Sequence, residues 1–274
     1  MPGLREACRE AEAAMEQTVL YALDGGVARI TLNRPALMNA LNAVLRRDLL
    51  AAVRRAEGEA RVLVLTGAGR GFSSGQDLND AQSTETGAAT DLERILREEY
   101  EPLLLAITRC AIPTLAAVNG AAVGAGAGLA LACDVVIAAQ SASFVQAFTR
   151  IGLVPDAGGS YWLPRQIGFA RAMGAMLFGE AVPAQVAADW GMIFSAVPDA
   201  LFQDEISARA AVLASGPTLA YRGVKEALRA SFDNDLTGQL ALEARLQGQA
   251  GASADFREGV AAFLERRAAR FTGR

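Results

Sequence analysis

The stretch Ala116-Ala-Val-Asn-Gly-Ala-Ala-Val-Gly-Ala-Gly-Ala-Gly-Leu-Ala-Leu-Ala-Cys-Asp134 decides how the rest of the chain is interpreted. An apolar strand ends at Asn119-Gly120, small residues continue through Gly128, and helix-forming residues follow. This order predicts a strand, a tight loop and a helix start. The glycines remove Cβ atoms where the backbone passes close to another group, and the first N–H groups of a helix have no partner within it. We therefore expect the loop to present N–H donors to an oxygen atom.

Two familiar phosphate-binding motifs do not account for this loop. A dinucleotide fingerprint that began at Gly124 would need a glycine at Leu129, and the chain contains no Gly-Lys-Ser/Thr triplet of a P-loop. Two interpretations stay open for the loop taken alone. Its glycines either free N–H donors for a ligand oxygen or only allow a helix to pack closely on a strand.

A second glycine-rich loop favours the first interpretation. The buried-strand pattern at 61–66 runs into Gly67-Ala-Gly-Arg-Gly-Phe-Ser-Ser-Gly-Gln-Asp-Leu78. Two such loops on neighbouring strands can each aim one N–H at the same carbonyl oxygen, which is the minimal form of an oxyanion hole. We place these two donors at Gln76 and Ala125.

Composition indicates a globular protein and narrows its chemistry. The 274 residues are 52% hydrophobic and 20% charged, which suits either one large domain or one domain with a small appendage. A net charge of −4 and a pI near 5.1 disfavour a nucleic-acid partner. Histidine is absent, so acid–base work falls on Asp, Glu, Tyr, Lys or Cys.

The cysteines are typical of a protein in a reducing compartment, and the apolar segments indicate whether the chain could enter a membrane. The spacing of Cys8, Cys110 and Cys133 does not suggest a metal site, and we interpret all three as small apolar side chains. The apolar run at 112–132 is interrupted by Asn119 and by glycines, so we expect no membrane span. The charged N-terminus lacks the apolar core of a signal peptide, and we expect a cytoplasmic location.

The order of elements predicts an α/β fold. Residues 18–23 and 27–32 flank Asp24-Gly25-Gly26 and predict a hairpin, and a helix at 43–57 connects to the strand at 61–66. A helix at 91–108 and strands at 112–118 and 135–138 follow, with a loop between 79 and 91. Strands that alternate with helices imply a largely parallel sheet. After Gly168 the pattern is helical, with no strand longer than 193–197.

Several motifs together resemble the crotonase, or enoyl-CoA hydratase/isomerase, superfamily. These motifs are the two glycine loops, Leu32-Asn-Arg-Pro35 before them and Pro155-Asp-Ala-Gly-Gly159 after them, and the similarity runs from about Val19 to the C-terminus. Four further segments resemble the ring 1,2-epoxyphenylacetyl-CoA isomerase branch: Gly69-Arg-Gly-Phe-Ser-Ser-Gly-Gln-Asp-Leu-Asn-Asp80, Ala170-Arg-Ala-Met-Gly174, Trp190-Gly-Met-Ile193 and Phe256-Arg-Glu-Gly-Val-Ala-Ala-Phe263.

The resemblance implies a spiral of ββα units and a particular domain plan. Residues 1–17 would be a helical N-terminal extension, 18–200 the crotonase-like core, and 201–274 a C-terminal helical trimerisation segment. The family assembles as trimers or as dimers of trimers, so a homotrimer or hexamer is expected here. Hydratases of the superfamily use two glutamates, which fall at Gly128 and Phe148 in this chain. A glycine and a phenylalanine cannot activate water, so a simple hydratase is disfavoured.

Asp156 is the acidic residue that remains at the expected site. In the branch that the chain resembles, an Asp at this turn is the catalytic acid and base. A carboxyl group near an apolar acyl pocket would have a raised pKa and could take and return one proton. The alternative is a structural role, because an Asp in a Pro-Asp turn before a helix commonly serves as an N-cap.

The resemblance also implies an acyl-CoA substrate, with CoA as part of the substrate, no separate cofactor and no metal. Arg34, Gly75, Leu78 and Gly124 would line its path together with the two donor residues. Asp77 would fix the loop, and Arg266, with Arg267 and Arg270, would reach the phosphates unless this basic segment is only a solvated helix face.

Three functions stay open. The first is isomerisation of 2-(1,2-epoxy-1,2-dihydrophenyl)acetyl-CoA to oxepin-CoA in phenylacetate degradation. The second is Δ3,Δ2-isomerisation of aliphatic enoyl-CoA by the same proton shuttle. The third is non-catalytic binding of acyl-CoA or RNA, of which the RNA form is disfavoured by the acidic pI.

Overall fold

Two sheets organise the fold in this computed structural model, which describes residues 17–79 and 91–274. The first sheet has the strand order β1-β2-β3-β5-β7-β10 and the second β4-β6-β8-β9. The strands are β1 Val19–Asp24, β2 Val27–Leu32, β3 Val62–Gly67, β4 Gly71–Ser73, β5 Thr114–Val118, β6 Ala121–Val123, β7 Val135–Ala139, β8 Ser143–Val145, β9 Ala181–Pro183 and β10 Ser195–Val197.

The large sheet is parallel except at its first edge. The hairpin β1/β2 pairs antiparallel, whereas β2/β3, β3/β5, β5/β7 and β7/β10 pair parallel. Its central strands are fully buried: every residue of β5 is buried, as are the first five residues of β3. The expected hairpin and parallel sheet are thereby confirmed.

The helices fill the intervals between strands and make up the C-terminal part of the described chain. Asn42 caps the first of them by accepting a hydrogen bond from the Leu45 N–H at 2.9 Å. The helices are α1 Ala43–Glu59, α2 Leu92–Ile95, α3 Glu101–Arg109, α4 Ala125–Ala132, α5 Gly159–Ile167, α6 Phe169–Phe178, α7 Ala184–Asp189, α8 Phe202–Ser215, α9 Thr218–Ala230, α10 Leu236–Gly251 and α11 Ala254–Leu264.

A repeated strand–strand–helix order builds the spiral. Each of β3, β5 and β7 in the large sheet is followed directly by a short strand in the small sheet, namely β4, β6 and β8. A helix follows each pair: α4 starts within two residues of β6, and α5 follows β8 after a longer connection. This is the ββα spiral that the resemblance implies.

The small sheet is the main difference from the sequence-based expectation. Its strands have only three residues each and contain Gly, Ala and Ser, so they carry no alternating apolar pattern that would separate them from loops. The strand β9, Ala181–Pro183, is also unexpected in the region after Gly168, whereas β10, Ser195–Val197, falls within the expected strand 193–197 and pairs with β7 in the large sheet. Pairing across the small sheet, rather than local propensity, creates β4, β6, β8 and β9.

The helix expected at 91–108 is divided by a π-helical turn, Leu96–Tyr100, which lies between α2 and α3. The predicted starts at Pro183, Pro198, Pro217 and Ser253 are confirmed, since each residue stands immediately before a helix or a 3-10 turn. The expectations for residues 1–16, including Cys8, and for residues 80–90 lie outside the described part of the chain.

Cys110 and Cys133 are buried, and burial raises the pKa of both thiols. Within residues 17–79 and 91–274, no helix combines the length and apolarity that a bilayer crossing requires.

Candidate active site

Parallel pairing of β4 with β6 brings the two glycine loops together. Both strands run in the same direction, so the residues that follow them emerge at the same edge of the small sheet. A Cβ placed on Gly75, whose φ is +87°, would lie 2.7 Å from the Val123 carbonyl oxygen and 3.4 Å from the Ala125 nitrogen. The two loops are therefore in direct backbone contact, and glycine is required for the approach.

The N–H groups of Gln76 and Ala125 are left out of the surrounding hydrogen-bond ladders. At Gln76 the bridge to Leu41 is made by its neighbours: Leu41 N–H donates to the Gly75 carbonyl at 2.8 Å, and Asp77 N–H donates to the Leu41 carbonyl at 3.3 Å. Ala125 is the first residue of α4, where the N–H has no intrahelical acceptor. Both predicted donor residues are thus placed beside one another.

Asp77 holds the first loop in shape. Its carboxylate accepts a hydrogen bond from Arg34 Nη1 at 2.8 Å and one from the Asn79 N–H at 3.1 Å. Arg34 Nη1 also donates to the Ala40 carbonyl. Asp77 therefore stabilises the loop conformation. Arg34 was expected to line the CoA path, and its Nη1 atom is used in the hydrogen bonds to Asp77 and Ala40. Leu78 is exposed beside them.

The Asp156 turn packs against α4 one turn beyond Ala125. A Cβ on Gly128 would lie 2.4 Å from the Ala157 carbonyl oxygen and 2.8 Å from the Ala157 Cβ. Ala157 itself has a φ of 48°, in the left-handed region that a non-glycine residue seldom occupies. The position where a hydratase glutamate was expected is therefore filled by the backbone of this turn.

The environment of Asp156 suits a proton carrier. Its Oδ1 atom is buried and has no hydrogen-bond partner within the described residues. Burial raises the pKa of this carboxyl from its ordinary value to about 6. Asp156 does not cap a helix, because α5 begins at Gly159 with Gly158 at the N-cap position and no side-chain cap. The capping alternative is thus not supported by this geometry.

Phe148 occupies the second position at which a hydratase glutamate was expected. It lies in the 3-10 turn Ala147–Ile151 after β8, and its ring would be 3.5 Å from a Cβ on Gly124. The side chain is largely buried, with 8% exposed. The Phe148 ring, in the turn after β8, therefore lies next to the loop that carries the Ala125 N–H.

A buried polar cluster behind Gln76 was not anticipated from the sequence. Arg46 of α1, which is 2% exposed, donates from Nη1 to Gln76 Oε1 at 3.0 Å, and the Tyr100 hydroxyl donates to the same oxygen at 2.5 Å. Glu99 Oε2 accepts two hydrogen bonds from Arg46, at 2.9 and 2.6 Å. Arg46 stands on the face of α1 that carries the buried residues Leu49 and Val53, but the sequence does not show which partners its charge would find, so only the structure reveals this cluster.

The C-terminal tail of the same chain folds toward the other end of β3. Arg61, just before β3, donates to the Phe271 carbonyl at 3.0 Å, whereas the Gln76 loop comes after that strand. Arg267 pairs with Glu258 and Glu265. Arg266, expected at the CoA phosphates, is exposed. These basic residues are therefore not gathered around the loops of their own chain.

The chain is similar to known proteins over most of its length. The family model for enoyl-CoA hydratase/isomerase matches residues 23–274. The chain is 62% identical to a probable enoyl-CoA hydratase of Rhodobacter capsulatus, over 94% of this chain and 98% of that protein. It is 45% identical to the 1,2-epoxyphenylacetyl-CoA isomerase of Escherichia coli, over 95% and 100%.

A third relative and one solved structure extend the comparison. The trans-2-decenoyl-[acyl-carrier-protein] isomerase of Streptococcus mutans is 34% identical, over 93% of this chain and 98% of that protein. The crystal structure of enoyl-CoA hydratase from Bacillus anthracis has a TM-score of 0.86 at 31% identity and covers 94% of this chain and 100% of that one. By its sequence motifs, its ββα spiral and these similarities, the chain belongs to the enoyl-CoA hydratase/isomerase, or crotonase, family.

Proposed function

We propose that the protein is an isomerase of acyl-CoA thioesters that converts 2-(1,2-epoxy-1,2-dihydrophenyl)acetyl-CoA to oxepin-CoA in phenylacetate degradation. The observation that carries this proposal is the pairing of two adjacent N–H donors with the half-buried carboxyl group of Asp156, whose Oδ1 atom is buried without a hydrogen-bond partner among the described residues. Asp156 has a pKa near 6 and an unpartnered oxygen, while Gly128 and Phe148 replace the carboxylates that a hydratase would use. Such a site can move a proton within a substrate but is poorly equipped to add water.

The chemistry begins at the thioester carbonyl. The N–H groups of Gln76 and Ala125 hold its oxygen, so the carbon next to the carbonyl becomes more acidic because the enolate charge develops on the held oxygen. Each such donor contributes about 3 kcal/mol to the transition state. The Asp156 carboxylate takes a proton from that carbon, the C–H electron pair moves into the enolate, and the resulting acid returns the proton to a carbon of the ring. The carbon–carbon bond of the epoxide breaks, its electron pair joins the double bonds of the ring, and the oxygen keeps both C–O bonds within the seven-membered ring. Nothing is gained or lost overall, as an isomerisation requires.

Two features favour an aromatic-derived acyl group. The Phe148 ring would be 3.5 Å from a Cβ on Gly124 and so lies beside the loop that carries the Ala125 N–H. An aromatic side chain at this place suits a flat acyl group. The 45% identical relative is named for the epoxide substrate, which agrees with this arrangement.

The name of the 62% identical relative raises the alternative of a hydratase. Water addition needs one group to activate water and another to protonate carbon, and crotonase hydratases use two glutamates for this. At Gly128 even a Cβ atom would overlap the Ala157 carbonyl, so a longer side chain could not be accommodated without moving the Asp156 turn. We therefore keep the proposal of an isomerase.

An aliphatic Δ3,Δ2-enoyl-CoA isomerase is the second candidate, because it uses the same proton shuttle and because the 34% identical relative is an isomerase of a trans-2-decenoyl group. A non-catalytic acyl-CoA-binding protein is the third candidate. The Asp156 Oδ1 atom, buried without a hydrogen-bond partner among the described residues, argues against it, since an inert protein gains nothing from that arrangement.

A panel of CoA thioesters followed by ultraviolet absorbance tests these functions. We expect turnover of the ring epoxide, slower turnover of 3-hexenoyl-CoA, and negligible hydration of crotonyl-CoA. Hydration of crotonyl-CoA faster than about 1 per second would contradict the isomerase proposal. Preference for the aliphatic 3-enoyl thioester would support the second candidate. Thermal stabilisation by CoA thioesters without turnover of any of them would support the third.

A further inference from the structure

The polar cluster behind Gln76 costs stability unless it serves the site. The Arg46 side chain is 1% exposed, so its charge is withdrawn from water, and its partner Glu99 is 26% exposed. Burying an ion pair is often less favourable than placing well-packed apolar residues in the same space. A leucine at this position of α1 would complete the helix's apolar face at a lower cost. The cluster therefore calls for an explanation other than packing.

Its contacts converge on the peptide that carries one oxyanion donor. Arg46 Nη1 donates to the Leu41 carbonyl at 2.6 Å, and that carbonyl also accepts the Asp77 N–H. The same Nη1 donates to Gln76 Oε1, which also accepts the Tyr100 hydroxyl. The Arg46 guanidinium therefore contacts the Gln76 side chain directly. It also contacts the Leu41 carbonyl, to which the backbone just after Gln76 is hydrogen-bonded. Gly75, immediately before it, has a positive φ and no side chain of its own to restrain it.

Tyr100 holds the Gln76 side chain from a π-helical turn. Tyr100 closes the π-helical turn Leu96–Tyr100, and single turns of this kind are found frequently at functional sites. Its ring lies under the guanidinium of Arg46 at 5.0 Å, and it is 3% exposed. Burial raises the pKa of its hydroxyl, Arg46 lowers it, and the charges of Asp156 and Glu99 raise it further, so the hydroxyl stays a donor at all working pH values.

From these contacts we propose that Tyr100 and Arg46 are positioning residues for the oxyanion hole: by holding the side-chain oxygen of Gln76, they fix the peptide whose N–H binds the thioester carbonyl. The inference rests on the proposed use of the Gln76 and Ala125 N–H groups. It assigns Gln76 a side-chain role in addition to its backbone role. Neither Tyr100 nor Arg46 needs to contact the substrate for this effect.

Tyr100→Phe is the test variant because it removes one hydroxyl and keeps the ring under Arg46. Tyr21→Phe is the matched control, since the Tyr21 hydroxyl donates to Glu59 at 2.7 Å on an exposed edge of the large sheet. Gln76→Leu removes the acceptor itself, and the double variant Gln76→Leu/Tyr100→Phe tests whether both act through one hydrogen bond. Melting temperatures of all four confirm that they fold.

The probe is phenylacetyl-CoA, which has a thioester and acidic α-protons but no epoxide to rearrange. The carbonyl stretching frequency of the bound probe reports polarisation by the oxyanion hole, and exchange of its α-protons with D₂O reports proton removal. For Tyr100→Phe we expect binding within about threefold of the parent, a smaller downshift of the carbonyl stretch, and exchange slower by about 10- to 100-fold. Tyr21→Phe should match the parent, and the double variant should be no worse than Gln76→Leu.

An unchanged carbonyl frequency and exchange rate in Tyr100→Phe would overturn the inference, as would losses that simply add in the double variant. These outcomes are separate from the fate of the proposed function. If the parent polarises and exchanges phenylacetyl-CoA in a Tyr100-dependent manner but does not isomerise the ring epoxide, the positioning role stands and the substrate assignment fails. If the epoxide is isomerised equally well by parent and Tyr100→Phe, the substrate assignment stands and the positioning role fails.

Discussion

At Asp156, burial without a hydrogen-bond partner separates a proton carrier from a structural carboxylate. A structural Asp would be expected to accept hydrogen bonds that stabilise its charge and lower its pKa, whereas this carboxyl has a buried free oxygen and a pKa raised to about 6. Asp156→Asn keeps the shape of the side chain but cannot carry a proton. We expect kcat to fall by about 10²–10⁴, with thioester binding nearly unchanged.

Kinetics and melting temperature should be measured on the same preparation of Asp156→Asn. The donors are backbone groups of other residues, so CoA thioesters should still raise its melting temperature. An Asp156→Asn protein that turns over at the parent rate would contradict the assignment of Asp156 as the proton carrier.

The raised pKa of Asp156 also sets the pH dependence. The ionised form takes the proton, so kcat/KM should rise with pH through about 6 and level off above 7. For stability the sign is opposite: the folded state holds this proton more tightly than the unfolded chain, so the contribution is present below pH 4 and is lost as pH rises through about 6. Asp156→Asn should therefore melt progressively higher than the parent between pH 4.5 and 7.5. A melting difference that does not change over this range would contradict the raised pKa.

At the scale of elements, α4 and the Asp156 turn fit together only because Gly128 has no side chain. Gly128→Ala would place a Cβ 2.4 Å from the Ala157 carbonyl oxygen, so the turn or the helix must shift. We expect a loss of about 1–3 kcal/mol in the free energy of unfolding and a fall in kcat of at least about tenfold, because the shift moves Asp156 relative to the donors.

Gly248→Ala is the matched control for this prediction. Gly248 lies in the exposed interior of α10 with no atom within 4 Å of a built Cβ, so alanine should be neutral or stabilising there by up to about 1 kcal/mol. If both variants have parent-like stability and activity, the close packing of α4 on the turn does not matter to the site.

Some helices and strands could be predicted from their own residues, and others could not. The strands β3 and β5 are continuous apolar runs and α1 has a polar cap and an amphipathic pattern, so all three could be predicted. The three-residue strands of the small sheet could not, because their hydrogen bonds come from partners far along the chain. Those strands nevertheless align the two donor loops, which the strand-to-glycine-loop pattern had already predicted to lie on neighbouring strands.

On the scale of the whole molecule, some residues of the candidate site could be predicted because their type marks a turn or a glycine-rich loop. Others could not, because their role depends on contacts between segments that are distant in the sequence. Gly75, Gly124 and the Pro155-Asp156 turn stand out in the sequence because glycine and proline restrict or free the backbone. Arg46 and Tyr100 carry no such signal, since each resembles an ordinary helix residue until α1 and the π-helical turn meet. Which neighbours a side chain acquires depends on tertiary packing.

The C-terminal helices leave apolar surface that a single copy does not cover. Between α9 and α10 lies an open groove of about 770 Å³, bordered by apolar side chains that include Leu219, Val224 and Leu240. Further large apolar side chains are more than half exposed on α6, α9 and α11, among them Phe178 at 70%, Leu228 at 65% and Phe263 at 82%. Patches of this kind commonly mark interfaces between subunits.

We therefore predict that the protein is a trimer or a hexamer in solution, as its family resemblance implies. Light scattering at micromolar concentration should give three or six times the chain mass of 28.6 kDa. Leu228→Glu, which places a charge on the exposed face of α9, should lower that mass, whereas Leu23→Glu at the edge strand β1 should not. The basic segment around Arg266 lies away from the loops of its own chain, so a neighbouring subunit would have to bring it to the CoA phosphates. Activity should accordingly fall with dissociation, and a fully active monomer would contradict both the assembly and this use of Arg266.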